Sequence, residues 1–156
     1  MLASQVSNGD ASAAGSCESA EECFAAAAQP KERLGNQLTK DQVSALKLER
    51  LRLVTERFPG SVWAKRAGVL SGVLLVERNP AAAMPFLRAG QRDLPVLDDY
   101  LRLWMGEAML HLGDAKEAAG LFESVIQAVP DSNLSSLVAL RAGEAWYQAA
   151  SCPEAL

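Results

Sequence analysis

The chain has 156 residues and 49% hydrophobic content, enough for one domain with a continuous core. Its formal charge of −4 and pI near 5.0 exclude a nucleic-acid surface, because phosphate binding needs a dense basic patch. No transmembrane segment is expected, since the longest apolar stretch, residues 67–76, is broken by two glycines and a serine.

Residues 1–16 are rich in Ser, Ala, Gly and Asn and read as a flexible leader. Residues 1–38 together form that leader plus a short helix near 18–29, which Pro30 stops, and a polar connection. The helical domain then occupies residues 39–156. Thr39 or Asp41 caps a helix over 41–58, with Val43, Leu46, Leu53 and Val54 along one side. Glu49, Arg50, Arg52, Glu56 and Arg57 give it a solvated face. Further helices are expected over 61–77, 80–90, 96–112, 115–129 and 133–150. Asn79-Pro80 is a good start signal, an Asn cap with proline in the first turn. Pro85 falls inside the helix over 80–90, which should therefore be short or kinked.

Residues 98–130 carry the clearest pattern. Leu101, Met105, Ala108, Met109 and Leu112 recur at three- and four-residue steps, as do Ala118, Leu121, Phe122, Val125, Ile126 and Val129. Gly113 stands where a helix end needs a left-handed backbone, Asp114 caps the next start, and Pro130 forbids continuation. The result is a helical hairpin with more apolar surface than one pair of helices can bury. Two markers then repeat at nearly one period. Pro59, Pro95 and Pro130 are spaced by 36 and 35 residues, and Gly68, Gly106 and Gly143 by 38 and 37. The expected fold class is all-α, a right-handed α-solenoid of antiparallel helical hairpins.

Gly106, Met109, Gly113, Ala118, Phe122 and Pro130 resemble the tetratricopeptide repeat, a helical hairpin of about 34 residues per unit. Met109 stands at the usual tyrosine position. Small residues at Gly106 and Ala118 let two helix backbones approach closely while larger side chains interlock around them. By that resemblance the first helix of each hairpin lines a concave groove. The residues assigned to it are Tyr100, Leu103, Trp104, Glu107, Leu110 and His111, followed by Leu137, Leu140, Glu144, Tyr147 and Gln148. Trp63, Trp104 and Trp146 occur in first helices; they either fill core between hairpins or contact a ligand in the groove.

Little else suggests chemistry. His111, the only histidine, reads as a surface residue at a helix C-terminus, where the dipole favours its charged form. Asp98-Asp99 and Glu21-Glu22 are sequence neighbours, which point apart on a helix and serve helix starts and solubility. No nucleophile–base constellation, phosphate loop, zinc motif or calcium loop is present, so no catalytic residue, cofactor or metal is assigned. Cys17, Cys23 and Cys152 are too few for a disulfide scaffold. Cys17 and Cys23 read first as two unpaired thiols; closing a small disulfide loop in an oxidising compartment is the alternative.

Asp98-Asp99-Tyr100-Leu101, Leu103-Trp104, the Gly113-Asp114 turn, Pro130-Asp131-Ser132 and Cys152-Pro153 also resemble the N-terminal helical region of soluble lytic murein transglycosylases. The likeness covers roughly residues 39–156. It implies a periplasmic, non-catalytic superhelix whose partner is a downstream peptidoglycan-cleaving domain, or peptidoglycan itself. The catalytic module with its glutamate has no counterpart in these residues. A stand-alone tetratricopeptide adaptor for a protein or peptide, in the periplasm or the cytoplasm, is the alternative. Residues 151–156 read as the first turn of another helix, so the domain is expected to be truncated there. Its exposed terminal repeat would favour a homo-oligomer.

Overall fold

The computed structural model describes residues 17–29 and 39–151, and these contain helices and turns with no strand. The helices are α1 (Ala20–Ala28), α2 (Lys40–Arg57), α3 (Val62–Leu75), α4 (Pro80–Asp93), α5 (Asp98–Leu112), α6 (Ala115–Ala128) and α7 (Ser135–Ser151). A 3-10 turn, Pro95–Leu97, leads into α5. No helix among the described residues is long and apolar enough to cross a membrane. The leader over 1–16, residues 30–38 of the connection and the helix start read at Cys152-Pro153 lie outside the described residues.

Side chains written into the sequence fix most helix starts. Ser19 and Glu22 form a capping box on α1, and Thr39 and Gln42 form another on α2. Thr39, not Asp41, is therefore the cap. Asn79 Oδ1 accepts from the N–H of Ala82 at 3.1 Å, and Asp114 Oδ1 from that of Glu117 at 3.0 Å. Gly113 ends α5 with φ +85°; its N–H donates to Leu110 O at 3.0 Å and that of Asp114 to Met109 O at 2.9 Å. That pair of bonds is a Schellman motif, and it turns the chain directly into α6.

α4 corrects one expectation. It continues past Pro85 to Asp93 instead of stopping near residue 90. Proline at the sixth position removes only one ladder bond, the one to the Ala81 carbonyl, while Leu87 and Gly90 beyond it are buried. Burial of that face outweighs the lost bond.

The chain divides into two compact units, Met1–Ala64 and Lys65–Leu156, so the division falls inside α3. In the first, α1 packs on α2, and the Phe24 and Trp63 rings lie 5.3 Å apart. Cys23, Ala27, Leu51, Val54 and Ala64 are buried. Cys17 and Cys23 are joined by a disulfide with Cα atoms 5.2 Å apart, which corrects the reading of two free thiols. The Ser19 cap folds the preceding residues back beside the first turn of α1 and brings the two sulfurs together. On α2, Arg52 is paired with Glu49 and Glu56, all three exposed, as the solvated face requires.

The second unit packs in chain order: α4 on α5, α5 on α6, α6 on α7. α5 is buried on two sides. Leu101, Met105 and Ala108 join Val76, Ala83, Met84 and Leu87 in one apolar cluster. Leu103 joins Ala118, Phe122, Val125, Val138, Ala142 and Ala145 in the other. Leu112 and Ile126, placed on buried faces by their spacing, are 47% and 38% exposed, because each lies in its helix's last turn. Close approach between helices depends on two glycines. A Cβ on Gly106 would come 2.4 Å from the fully buried Phe122 ring, and one on Gly90 would come 2.6 Å from Val69.

Candidate partner-binding surface

Helical periodicity sets Tyr100, Trp104, Glu107 and His111 on one face of α5. Arg141 of α7 joins that face to its own helix. Its guanidinium donates Nε–H to Glu107 Oε1 at 2.6 Å and Nη2–H to Glu107 Oε2, a bidentate fork, while Nη1–H donates to Glu144 Oε2 at 2.7 Å. Glu107 is the least exposed of the three side chains at 18%, against 29% for Arg141 and 44% for Glu144. The Glu107 hydrogen bonds, with a smaller contribution from Glu144, raise the Arg141 pKa further above its ordinary value, so the guanidinium stays charged. Two carboxylates share one cation, which leaves one negative charge in excess.

The surface therefore brings together Glu107 and Glu144 from the expected set. Tyr100 stands at its edge on α5, 46% exposed, and Tyr147 on α7, 76% exposed. His111 is exposed in the last turn of α5. Leu137 and Leu140 add exposed apolar area on α7. Leu103 does not belong to it: at 7% exposure it is committed to the core between α5, α6 and α7, which corrects its assignment to the groove. Trp104 is half-buried against the α4–α5 cluster and is largely a packing residue. Trp146 is exposed and donates Nε1–H to Glu123 Oε1 at 2.7 Å, tying α7 to α6. Arg141 escaped sequence reasoning, although the signal was there: it carries the opposite charge to Glu107 and follows it by 34 residues.

The start of α5 is held from three sides. Asp98 accepts from Gln91 Nε2 at 2.7 Å and from Arg102 Nε at 2.7 Å, and Arg102 Nη1 donates to Ser124 Oγ at 2.9 Å. Asp99 turns the other way and accepts from Ser132 Oγ at 2.6 Å, in the turn before α7. The two neighbouring carboxylates thus anchor different helices and do not form an acid–base pair. Among the described residues no cluster of three or more His, Cys, Asp or Glu side chains is arranged to hold a metal ion. No protein-family model, curated protein or solved structure matches the chain.

Proposed function

We propose that the chain is a non-catalytic interaction scaffold of tetratricopeptide type, a solenoid of helical hairpins that takes a protein or peptide segment along α5 and α7. The observation that carries this reading is the Glu107–Arg141–Glu144 fork. It ties α5 to α7 at an offset of 34 residues and leaves one carboxylate in excess, with Glu144 one helical turn from the exposed Tyr147. Such a surface suits a segment with a Lys or Arg side chain, paired with carboxylate and lying over an aromatic face. The test is a display selection of short random peptides on the wild-type chain, counter-screened on a Glu144→Gln/Tyr147→Ala variant. Enriched peptides should carry Lys or Arg and bind the variant about tenfold more weakly, the loss expected of one charge-assisted contact. Peptides that bind both proteins equally would remove this surface.

A narrower reading has one observation in its favour. A disulfide belongs with an oxidising compartment, and the Cys17–Cys23 bond supports a periplasmic chain of the lytic transglycosylase type. Co-sedimentation with insoluble peptidoglycan separates the two. Retention that survives high salt favours the peptidoglycan reading, and a chain that stays in the supernatant favours the adaptor. Release of soluble muropeptides by the chain alone would overturn its non-catalytic assignment.

A further inference from the structure

We propose that the Cys17–Cys23 pair is a thiol–disulfide exchange site for a small thiol that carries a carboxylate. Both cysteines belong to the α1 segment, so the bond between them can open while Ala27 and the Phe24–Trp63 contact keep α1 in place. A cation stands over the bond. Arg57, in the last turn of α2, donates Nη2–H to the Cys17 carbonyl at 3.3 Å, and its Nη1 lies 3.6 Å from Cys17 Sγ and 3.9 Å from Cys23 Sγ. A guanidinium gains little from a neutral disulfide and much from a thiolate, so one arginine serves whichever sulfur is released. Cys23 also lies in the first turn of α1, where the helix dipole favours negative charge. The carboxylate beside it in sequence, Glu22, is directed onto the backbone N–H groups of Glu18 and Ser19 at 3.0 and 3.3 Å.

The two cysteines line a shallow cleft together with Ala27, Leu53, Arg50 and Arg57, and no Asp or Glu is among the described residues that line it. Arg50 lies on α2 two turns before Arg57 and is half-buried. It has no carboxylate partner among the described residues, whereas the neighbouring Arg52 is paired with Glu49 and Glu56. The cleft thus sets an unneutralised cation beside a polarised disulfide, which suits a thiol whose own carboxylate pairs with Arg50. Its thiolate attacks Cys17 Sγ, the more exposed end of the bond, and Cys23 leaves as a thiolate beside Arg57. A second thiolate then attacks the small thiol's sulfur in the mixed disulfide and releases Cys17. Two small thiols end as one disulfide, two electrons pass to the cysteine pair, and the freed thiolates take protons from water.

The test treats the chain, with Cys152→Ser so that only this pair is counted, with glutathione (anionic), 2-mercaptoethanol (neutral) or cysteamine (cationic). Alkylation of the freed cysteines reads the rate. Each rate is divided by that thiol's rate on hydroxyethyl disulfide, which removes differences in intrinsic nucleophilicity. Glutathione should then be favoured over cysteamine about tenfold at low salt, and the preference should fade in high salt. Arg50→Gln and Arg57→Gln should each cut that preference about threefold, while a loss of fold would speed all three thiols alike and leave it unchanged. At equilibrium Arg57→Gln should need about tenfold more reduced over oxidised glutathione to open, and Arg57→Lys should stay within about threefold of wild type. Equal corrected rates for the three thiols would overturn the proposal. So would a bond that stays closed in excess reduced glutathione, as a purely structural disulfide does.

Discussion

Gly106 and Gly143 occupy the same place in the glycine series, yet their surroundings differ completely. The Phe122 ring lies against Gly106 so closely that an added Cβ would meet three of its carbons at 2.4 to 2.8 Å. Nothing lies within 4 Å of a Cβ added to Gly143. Gly106→Ala gains about 1 kcal/mol in helix propensity but forces a fully buried ring to move, at about 1–3 kcal/mol. A net loss is therefore expected in urea unfolding, and it should shrink in a Phe122→Leu background, where the ring edge is gone. Gly143→Ala meets no obstacle and should raise stability by about 0.5–1 kcal/mol. A smaller loss for Gly106→Ala than for the same change in the Phe122→Leu background would show that the ring does not set the requirement for glycine. The demand for a small residue at Gly106 is readable from its place in the tetratricopeptide-like pattern, where two helix backbones approach closely. The openness of Gly143 is not, because it depends on what packs against α7.

At the scale of helices, the caps and turns were the most readable part of the fold. Asn79, Thr39, Gly113 and Asp114 act locally, through bonds to residues no more than a few positions away, so sequence neighbours suffice to identify them. What sequence reading missed depends on partners far along the chain. α4 runs through Pro85 because distant apolar residues bury its far half, and Leu103 leaves the groove because α6 and α7 cover it. The Glu107–Arg141 fork is the same kind of long-range contact, and it makes a definite energetic claim. Arg141→Met would leave Glu107, about four-fifths buried, without its cation. A fully buried pair loses about 3–5 kcal/mol on such a change and an exposed one about 0–1. This half-screened fork should lose about 1–3 kcal/mol, with part recovered by adding Glu107→Gln. A double-mutant cycle in urea unfolding measures the coupling; a value near zero would reduce the fork to a surface ion pair.

For the whole molecule, the proposed solenoid makes a claim about how damage spreads. In a stacked array each element is stabilised by its neighbours alone, so a lesion weakens what touches it and fades with distance. A closed globule with one shared core unfolds as a unit, and a lesion anywhere lowers protection everywhere. Gly106→Ala is a suitable lesion, since the strain it introduces is confined to the contact between α5 and Phe122 of α6. The two apolar clusters flanking α5 give the expected order of response. Amides of α5, α6 and α7, which share the Phe122 cluster, should lose the most protection to hydrogen exchange. Those of α4, which meets α5 through the second cluster, should lose less, and those of α1 and α2, in the other compact unit, least. A uniform loss from α1 to α7 would show one cooperative body and remove the solenoid reading. A graded loss in that order supports a molecule whose hairpins act as successive units, with a partner-binding surface that two of them share.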